Sequence, residues 1–266
     1  MQLTIKHPFL CLPVVSHPKD TRVLKLFDGE KLLLCVYFPF GEAAADNGTY
    51  SYEYLSPLPV SEWMGRTLTL SAEFPAGFED AVTQTDELPV SGEVHPAVHF
   101  TANAGWINDP NGLVYDNGTY HLYYQHNPFG VNWNNMSWGH ATSTDLLHWT
   151  RLPVAMLPDE EGTIFSGCGL TNEHRDEIQA AADSNLYRSL PKDALLFFYT
   201  AAGGSHDSAC SEGKDYTQHT AYSTDHGLTL QKLPGAVVPF LKTDNRDPKV
   251  YWHEKSKAFI MSLYLK

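Results

Sequence analysis

The sequence predicts an all-β protein. Three observations carry that reading. Helical composition is confined to one short stretch, Glu173–Ala182. Elsewhere, short runs rich in Val, Tyr, Phe, Leu and Thr are separated by Gly, Pro, Asn and Asp, the punctuation of strands and turns. Two dipeptides, Asp28-Gly29 and Asn117-Gly118, stand between such runs. Both are hairpin signals, because these residues accept the positive φ that tight hairpin turns require.

The elements follow in chain order. Phe9–Val15 is a short apolar stretch preceded by Pro8 and interrupted by Pro13. It reads as a strand, since no small-x-small cleavage site follows it, and the lack of a leader predicts the cytoplasm. Thr21–Phe27 and Lys31–Phe38 pair as a hairpin, and Thr67–Phe74 is a further strand. Thr85–His95 carries Pro89, Gly92 and acidic residues and reads as a linker. The chain therefore divides into a small β-rich, sandwich-like domain over 1–88, a linker over 89–95 and a larger unit over 96–266. In the larger unit Gly112–Tyr115 and Tyr120–Gln125 flank Asn117-Gly118, and Phe197-Phe198-Tyr199 reads as buried strand.

Composition narrows the function. The 266 residues are 42% hydrophobic and 12% aromatic, enough to bury a core. Lys+Arg is 18 against 31 Asp+Glu, a formal charge of −13. That balance excludes nucleic acid and anionic membrane as main partners, since both select basic patches. No apolar run reaches the roughly 18 residues of a membrane span. Cys11, Cys35, Cys168 and Cys210 are widely spaced, with no C-x-x-C pair. They are expected as buried free thiols, not zinc ligands or a disulfide framework. His95 and His99 form H-x-x-x-H, but Pro96 breaks the helix a metal pair would need, so no metal and no cofactor are expected. Asn47-Gly-Thr, Asn117-Gly-Thr and Asn135-Met-Ser are glycosylation sequons by pattern.

The larger unit repeats itself. Thr142-Ser-Thr-Asp145 leads to Leu152-Pro153, and Tyr222-Ser-Thr-Asp225 leads to Leu233-Pro234. Asp109-Pro110 and Asp247-Pro248 each open a strand, a polar turn and a second strand. Repeats of this size predict four-stranded propeller blades. On this spacing the third blade is incomplete at Lys266, and its open edge, Ala258–Leu265, is expected to drive self-association.

In a propeller the first strand of each blade lines the axis, so Asp109 and Asp247, at equivalent repeat positions, converge on one pocket. Paired carboxylates around a sugar ring perform glycoside hydrolysis. Trp106, Asn108, Gln125, Trp133, Trp138 and Arg246 surround them in sequence. Aromatic faces stack on sugars, and amides and guanidinium groups hydrogen-bond hydroxyls. The alternative is that Asp-Pro and Asn-Gly simply make turns.

Trp106-Ile-Asn-Asp-Pro-Asn-Gly112 resembles the signature of glycoside hydrolase family 32, the invertases, inulinases, levanases and fructan exohydrolases. His121–Pro128, Trp138-Gly-His-Ala141, Asp145-Leu-Leu-His-Trp149, Phe165-Ser-Gly-Cys168, Gln218–Ser223 and Arg246-Asp-Pro-Lys-Val250 resemble further family blocks in the same order, with Cys168 where the family has Ser. The resemblance covers about residues 95–266. It implies a five-bladed β-propeller and retaining hydrolysis of β-fructofuranosides, with fructose-containing oligo- or polysaccharides as partners. Asp109 is then the nucleophile, and Asp247 holds fructose hydroxyls and stabilises the transition state. Trp106, Asn108, Gln125, Trp133, Phe165, Ser166 and Arg246 line the sugar subsite. The family's general acid is a Glu downstream of the Arg-Asp-Pro block. Glu254 is the sole downstream Glu and falls in the turn His253–Lys257, so the chain alone is expected to be weak or inactive. Two alternatives are a fructan-binding pseudo-enzyme and an arabinan- or xylan-type propeller hydrolase. The Ser61–Leu70 region resembles the β-rich extension that precedes some bacterial members of the family.

Overall fold

The computed structural model describes residues 1–42, 49–89, 96–178, 184–204, 208–242 and 244–266. Linker residues 90–95 (His95 among them), the Asn47-Gly48 sequon positions and residues 179–182 of the expected helix lie outside the described residues.

The N-terminal part holds β1 (Gln2–Thr4), β2 (Phe9–Val14), β3 (Asp20–Asp28), β4 (Lys31–Phe40), β5 (Tyr54–Pro59), β6 (Thr67–Ser71), the single-turn helix α1 (Phe78–Ala81) and β7 (Thr83–Thr85). They form two sheets, ordered β1-β6-β3-β4 and β5-β2-β7. The β3–β4 hairpin turns at Gly29, whose φ of 59° suits glycine. Alternation does the rest: Leu24 and Leu26 of β3 and Leu34, Val36 and Phe38 of β4 face one apolar cluster with Leu10, Leu12 and Leu58 of the other sheet. Phe38 is fully buried against Phe40, Phe78 and Phe129. Truncating it to Ala is expected to cost about 3–5 kcal/mol.

The larger unit holds β8 (Trp106–Asp116), β9 (Thr119–Asn127), β10 (Ser137–Ser143), β11 (Thr150–Met156), β12 (Thr163–Thr171), the short helix α2 (Ser184–Ser189), β13 (Leu195–Ala202), β14 (Tyr216–Ser223), β15 (Gln231–Lys232), β16 (Arg246–His253) and β17 (Ala258–Tyr264). These make antiparallel meanders, β8-β9-β10-β11 and β12-β13-β14-β15, followed by the β16–β17 hairpin. The first strand of each meander is the inner one, with β12 packed between β8 and β16, an arrangement of propeller blades. Positive φ at both Asn117 (45°) and Gly118 (86°) gives the expected tight β8–β9 turn. The two Ser-Thr-Asp repeats fold alike. Ser143 Oγ and Ser223 Oγ each donate to the Asp two residues on, and the residue after each Asp, Leu146 or His226, has positive φ. The fully buried β13 matches the expectation for Phe197–Tyr199.

Several expectations are corrected. Cys35 and Cys210 form a disulfide with Cα atoms 6.0 Å apart, joining β4 to the segment between β13 and β14, while Cys11 and Cys168 are free and buried. The pairing spans 175 residues, so sequence spacing gave no sign of it. Glu173–Glu177 are turns and not helix. The His174 ring stacks on Trp252 at 4.5 Å and Glu177 pairs with Lys257, so tertiary contacts override local propensity. Asn135 is 1% exposed and its side chain is consumed in hydrogen bonds, so that sequon is not a glycosylation site. Trp138 is fully buried, with its indole N–H donating to the Phe165 carbonyl, and is a core residue, not a sugar platform.

Candidate active site

The site is built by one irregularity repeated three times. Pairing along β8 steps from Ile107 opposite His126 to Pro110 opposite Tyr124. Along β12 it steps from Ile164 opposite Ala201 to Gly167 opposite Tyr199, and along β16 from Arg246 opposite Tyr264 to Lys249 opposite Ser262. Each inner strand thus carries one extra residue at the same level, a β-bulge that re-aims the side chains it contains. The bulged pairs are Asn108-Asp109, Phe165-Ser166 and Asp247-Pro248. This refines the equivalence of the two aspartates. Asp109 shares the second bulge position with Ser166, whereas Asp247 takes the first, shared with Asn108 and Phe165.

The bulges open onto a cavity of about 390 Å³ lined by Asp109, Asn111, Ser166, Cys168, Asp247 and Lys249 among others. Ser166 Oγ donates to Asp109 Oδ2 at 2.8 Å. Asp247 has a φ of 58°, a left-handed conformation that Asp tolerates better than most residues. A buried relay holds it there. The Asp247 N–H donates to Thr200 Oγ1 (3.1 Å), which donates to Gln218 Oε1 (2.7 Å), whose amide Nε2 donates to the Asn245 carbonyl (2.7 Å). Arg246 Nε donates to Asp247 Oδ2 at 3.1 Å, and its guanidinium lies 4.5 Å over the Tyr264 ring. Burial raises the Asp247 carboxyl pKa above its usual range, with the charge of Asp109 adding to the rise and Arg246 opposing it.

The remaining residues expected at the site are not among those that line the cavity, and Asn108, Phe165 and Arg246 are chain neighbours of lining residues. Trp106 Nε1 donates to Asn108 Oδ1 at 2.9 Å, beside Asp109. Phe165 meets Trp133 edge to face at 6.0 Å. Gln125 sits behind the first layer, 2% exposed, with Nε2 donating to the Ile164 carbonyl at 2.8 Å. Sequence reasoning missed Asn111 and the Thr200–Gln218 relay. Buried Asn111 accepts the Gly167 N–H at 3.2 Å and lines the cavity. Cys168 also lines it. Its Sγ accepts the Val250 N–H at 3.1 Å, and burial pushes its thiol pKa up. Glu254 lies on the turn beyond β16, roughly 20 Å along the strand from Asp247. Its carboxylate pairs with Lys257 and accepts from Trp252 Nε1.

The description "Glycosyl hydrolases family 32 N-terminal domain" matches residues 99–265, more than half of the chain. The chain belongs to glycosyl hydrolase family 32. Among family 32 relatives it is 40% identical over 199 residues to a levanase of Bacillus subtilis, covering 74% of this chain and 26% of the levanase. It is 36% identical over 202 residues to a fructan beta-fructosidase of Streptococcus mutans, covering 74% of this chain and 13% of that protein. The fructofuranosidase from Schwanniomyces occidentalis, solved with fructose, superposes with a TM-score of 0.50 at 34% identity, over 63% of this chain and 31% of that one. This family 32 chain thus spans only a minor part of those relatives' length.

Proposed function

We propose that this chain carries the nucleophile half of a retaining β-fructofuranosidase acting on sucrose-, inulin- or levan-type substrates. The observation that carries this reading is the convergence of Asp109, Ser166 and Asp247, from three bulged inner strands, on one cavity. The Asp109 carboxylate attacks the anomeric carbon of a fructosyl unit, and the bond to the leaving oxygen breaks as a proton reaches that oxygen. Water then cleaves the fructosyl ester, so the anomeric configuration is retained. The Ser166 hydroxyl orients the attacking carboxylate. Asp247, steadied by Arg246, accepts hydrogen bonds from fructose hydroxyls and offsets charge developing on the ring. Trp106, Asn108, Gln125, Trp133 and Phe165 complete the subsite.

The fold that fits this reading is a five-bladed propeller to which 96–266 contributes, preceded by a sandwich-like domain over 1–88. Among the described residues β17 pairs only with β16, and that strand edge suits self-association. The Cys35–Cys210 bridge favours an oxidising compartment over the cytoplasm expected from the sequence.

A second reading, fructan binding without turnover, is favoured by one observation: Glu254 sits far from the cavity and is held by Lys257. Fructose release from sucrose, inulin and levan, measured beside Asp109→Asn, tests the first reading. Release abolished by the substitution supports it. Calorimetric binding of fructo-oligosaccharide without release supports the second, and neither signal overturns both.

A further inference from the structure

An aromatic run passes through Phe165, the chain neighbour of the cavity residue Ser166, and both ends of the run are tied to the N-terminal unit. Trp133 meets Phe165 at 6.0 Å, and Phe165 meets Tyr216 at 5.9 Å, both edge to face. Trp133 belongs to the segment between β9 and β10, and Tyr216 opens β14. The first segment is pinned on both sides of Trp133. Before it, the Tyr54 hydroxyl donates to the Pro128 carbonyl at 3.2 Å, and Phe129 is sunk in the N-terminal core against Phe38. After it, the Asn135 side chain accepts the Tyr37 N–H at 2.9 Å and donates to the Tyr37 carbonyl at 2.8 Å.

Asn135 thereby pairs with β4 as a neighbouring strand would, and it can do so because β4 is the last strand of its sheet. The segment leading to Tyr216 is tied to the same strand by Cys35–Cys210. Strand alternation explains why one strand serves both. Leu34, Val36 and Phe38 face the N-terminal core, which turns Cys35 and Tyr37 the other way.

We propose that β4 is a clamp that positions this aromatic run as a sugar-binding rim, with Cys35–Cys210 and Asn135 as its positioning groups and Tyr216 as a further rim residue. The ligand rests on the fructoside reading, and the clamp does not. Ordering aromatic side chains on binding costs affinity, and a rim held in place beforehand avoids that cost. The clamp does no chemistry. It sets how many rim conformations compete with the one a fructosyl chain can stack on.

The test compares the full 266-residue chain with Cys35→Ser/Cys210→Ser, and with wild type reduced by dithiothreitol should the variant fail to fold. Near-ultraviolet circular dichroism verifies that packing is retained. Hydrogen exchange is followed over 128–136 and 208–216, and binding of an inulin-type fructo-oligosaccharide is followed by calorimetry. Opening the bridge is expected to speed exchange at 208–216, with β9 and β13 unchanged, and to weaken oligosaccharide binding about tenfold. Unchanged exchange overturns the clamp, as does faster exchange with full affinity. Asn135→Ala is expected to speed exchange at 128–136 and weaken binding in the same direction. A wild type that binds no fructo-oligosaccharide overturns the fructoside reading instead, and the exchange patterns then decide the clamp by themselves.

Discussion

Ser166 Oγ lies 2.8 Å from Asp109 Oδ2, joining the bulges of two neighbouring inner strands. A hydroxyl donating to a carboxylate fixes its rotamer, and in the proposed reaction this orients the Asp109 carboxylate. Hydrogen bonds to charged groups contribute about 1.5–3 kcal/mol. Ser166→Ala is therefore expected to slow fructosyl transfer by about 10- to 100-fold, and Asp109→Asn to reduce it to background. An aryl β-fructofuranoside is the substrate to use. Its leaving group departs without protonation, so the assay does not depend on a general acid. Equal rates for wild type and Ser166→Ala would remove the hydroxyl from the mechanism.

Asp247 gives a prediction with a definite sign. Its folded carboxyl pKa is raised by burial and by Asp109, so the folded state holds its proton more tightly than the unfolded chain does. The associated stability is present below the unfolded value and lost as pH rises through the folded one. Asp247→Asn should therefore melt at or above the wild-type temperature at pH 7, with the gap closing as pH falls through the carboxylate range. Asn also tolerates the 58° φ, whereas Asp247→Ala adds about 1 kcal/mol of backbone strain. Both variants should lose fructoside affinity. Melting curves across pH separate the two effects.

What the sequence could reveal depended on the range of the interaction. The turns at Asp28-Gly29 and Asn117-Gly118 were legible because their chemistry is complete within a few residues. The axial convergence of Asp109 and Asp247 was legible because each opens a repeat. The bulge phase that separates them by one position was not, since it is fixed by pairing with β9 and β17. The Cys35–Cys210 bridge and the Asn135–Tyr37 pairing join elements 175 and 98 residues apart, and local pattern carries no trace of either. Trp138 misled for a related reason. It belongs to a block near the site in sequence, yet a strand directs alternate residues to opposite faces, and this one is buried in the blade.

Acid should weaken this protein through its histidines. His126 is buried with its pKa lowered to about 4, its Nδ1–H donating to the Trp106 carbonyl at 2.9 Å. His140, stacked 4.1 Å from Tyr123 and 3.1 Å from His121 Nδ1, is lowered to about 3, first by burial and then by His121. Burial also lowers His121 and His219. These rings are neutral when folded but take up protons near pH 6.5 when unfolded. Their stabilisation is thus complete above about pH 6.5 and lost as pH falls toward 4 and 3. The melting temperature should fall steeply over that window. In His126→Gln, where an amide can keep the bond to Trp106, the slope should flatten. An unchanged slope would place the acid sensitivity elsewhere.

Gly167 tests whether the β12 bulge is a packing requirement. An added Cβ there would lie 2.0 Å from the Phe198 carbonyl oxygen and 2.8 Å from Tyr199 Cα, both backbone atoms of the adjacent β13. The inner strand can approach that closely only without a side chain. The same approach presents the Gly167 N–H to Asn111 and aims Ser166 at Asp109. Gly167→Ala must push β12 off β13, which is expected to cost at least about 2 kcal/mol and to impair Asp109 chemistry as severely as Ser166→Ala. The comparison is Gly29→Ala, where φ is 59° but nothing lies within 4 Å of the new methyl. There the cost is backbone strain alone, about 1 kcal/mol, with no effect on fructoside binding. If chemical denaturation ranks the two variants equally and both retain activity, the bulge is not held by steric contact, and the alignment of Ser166 needs another cause.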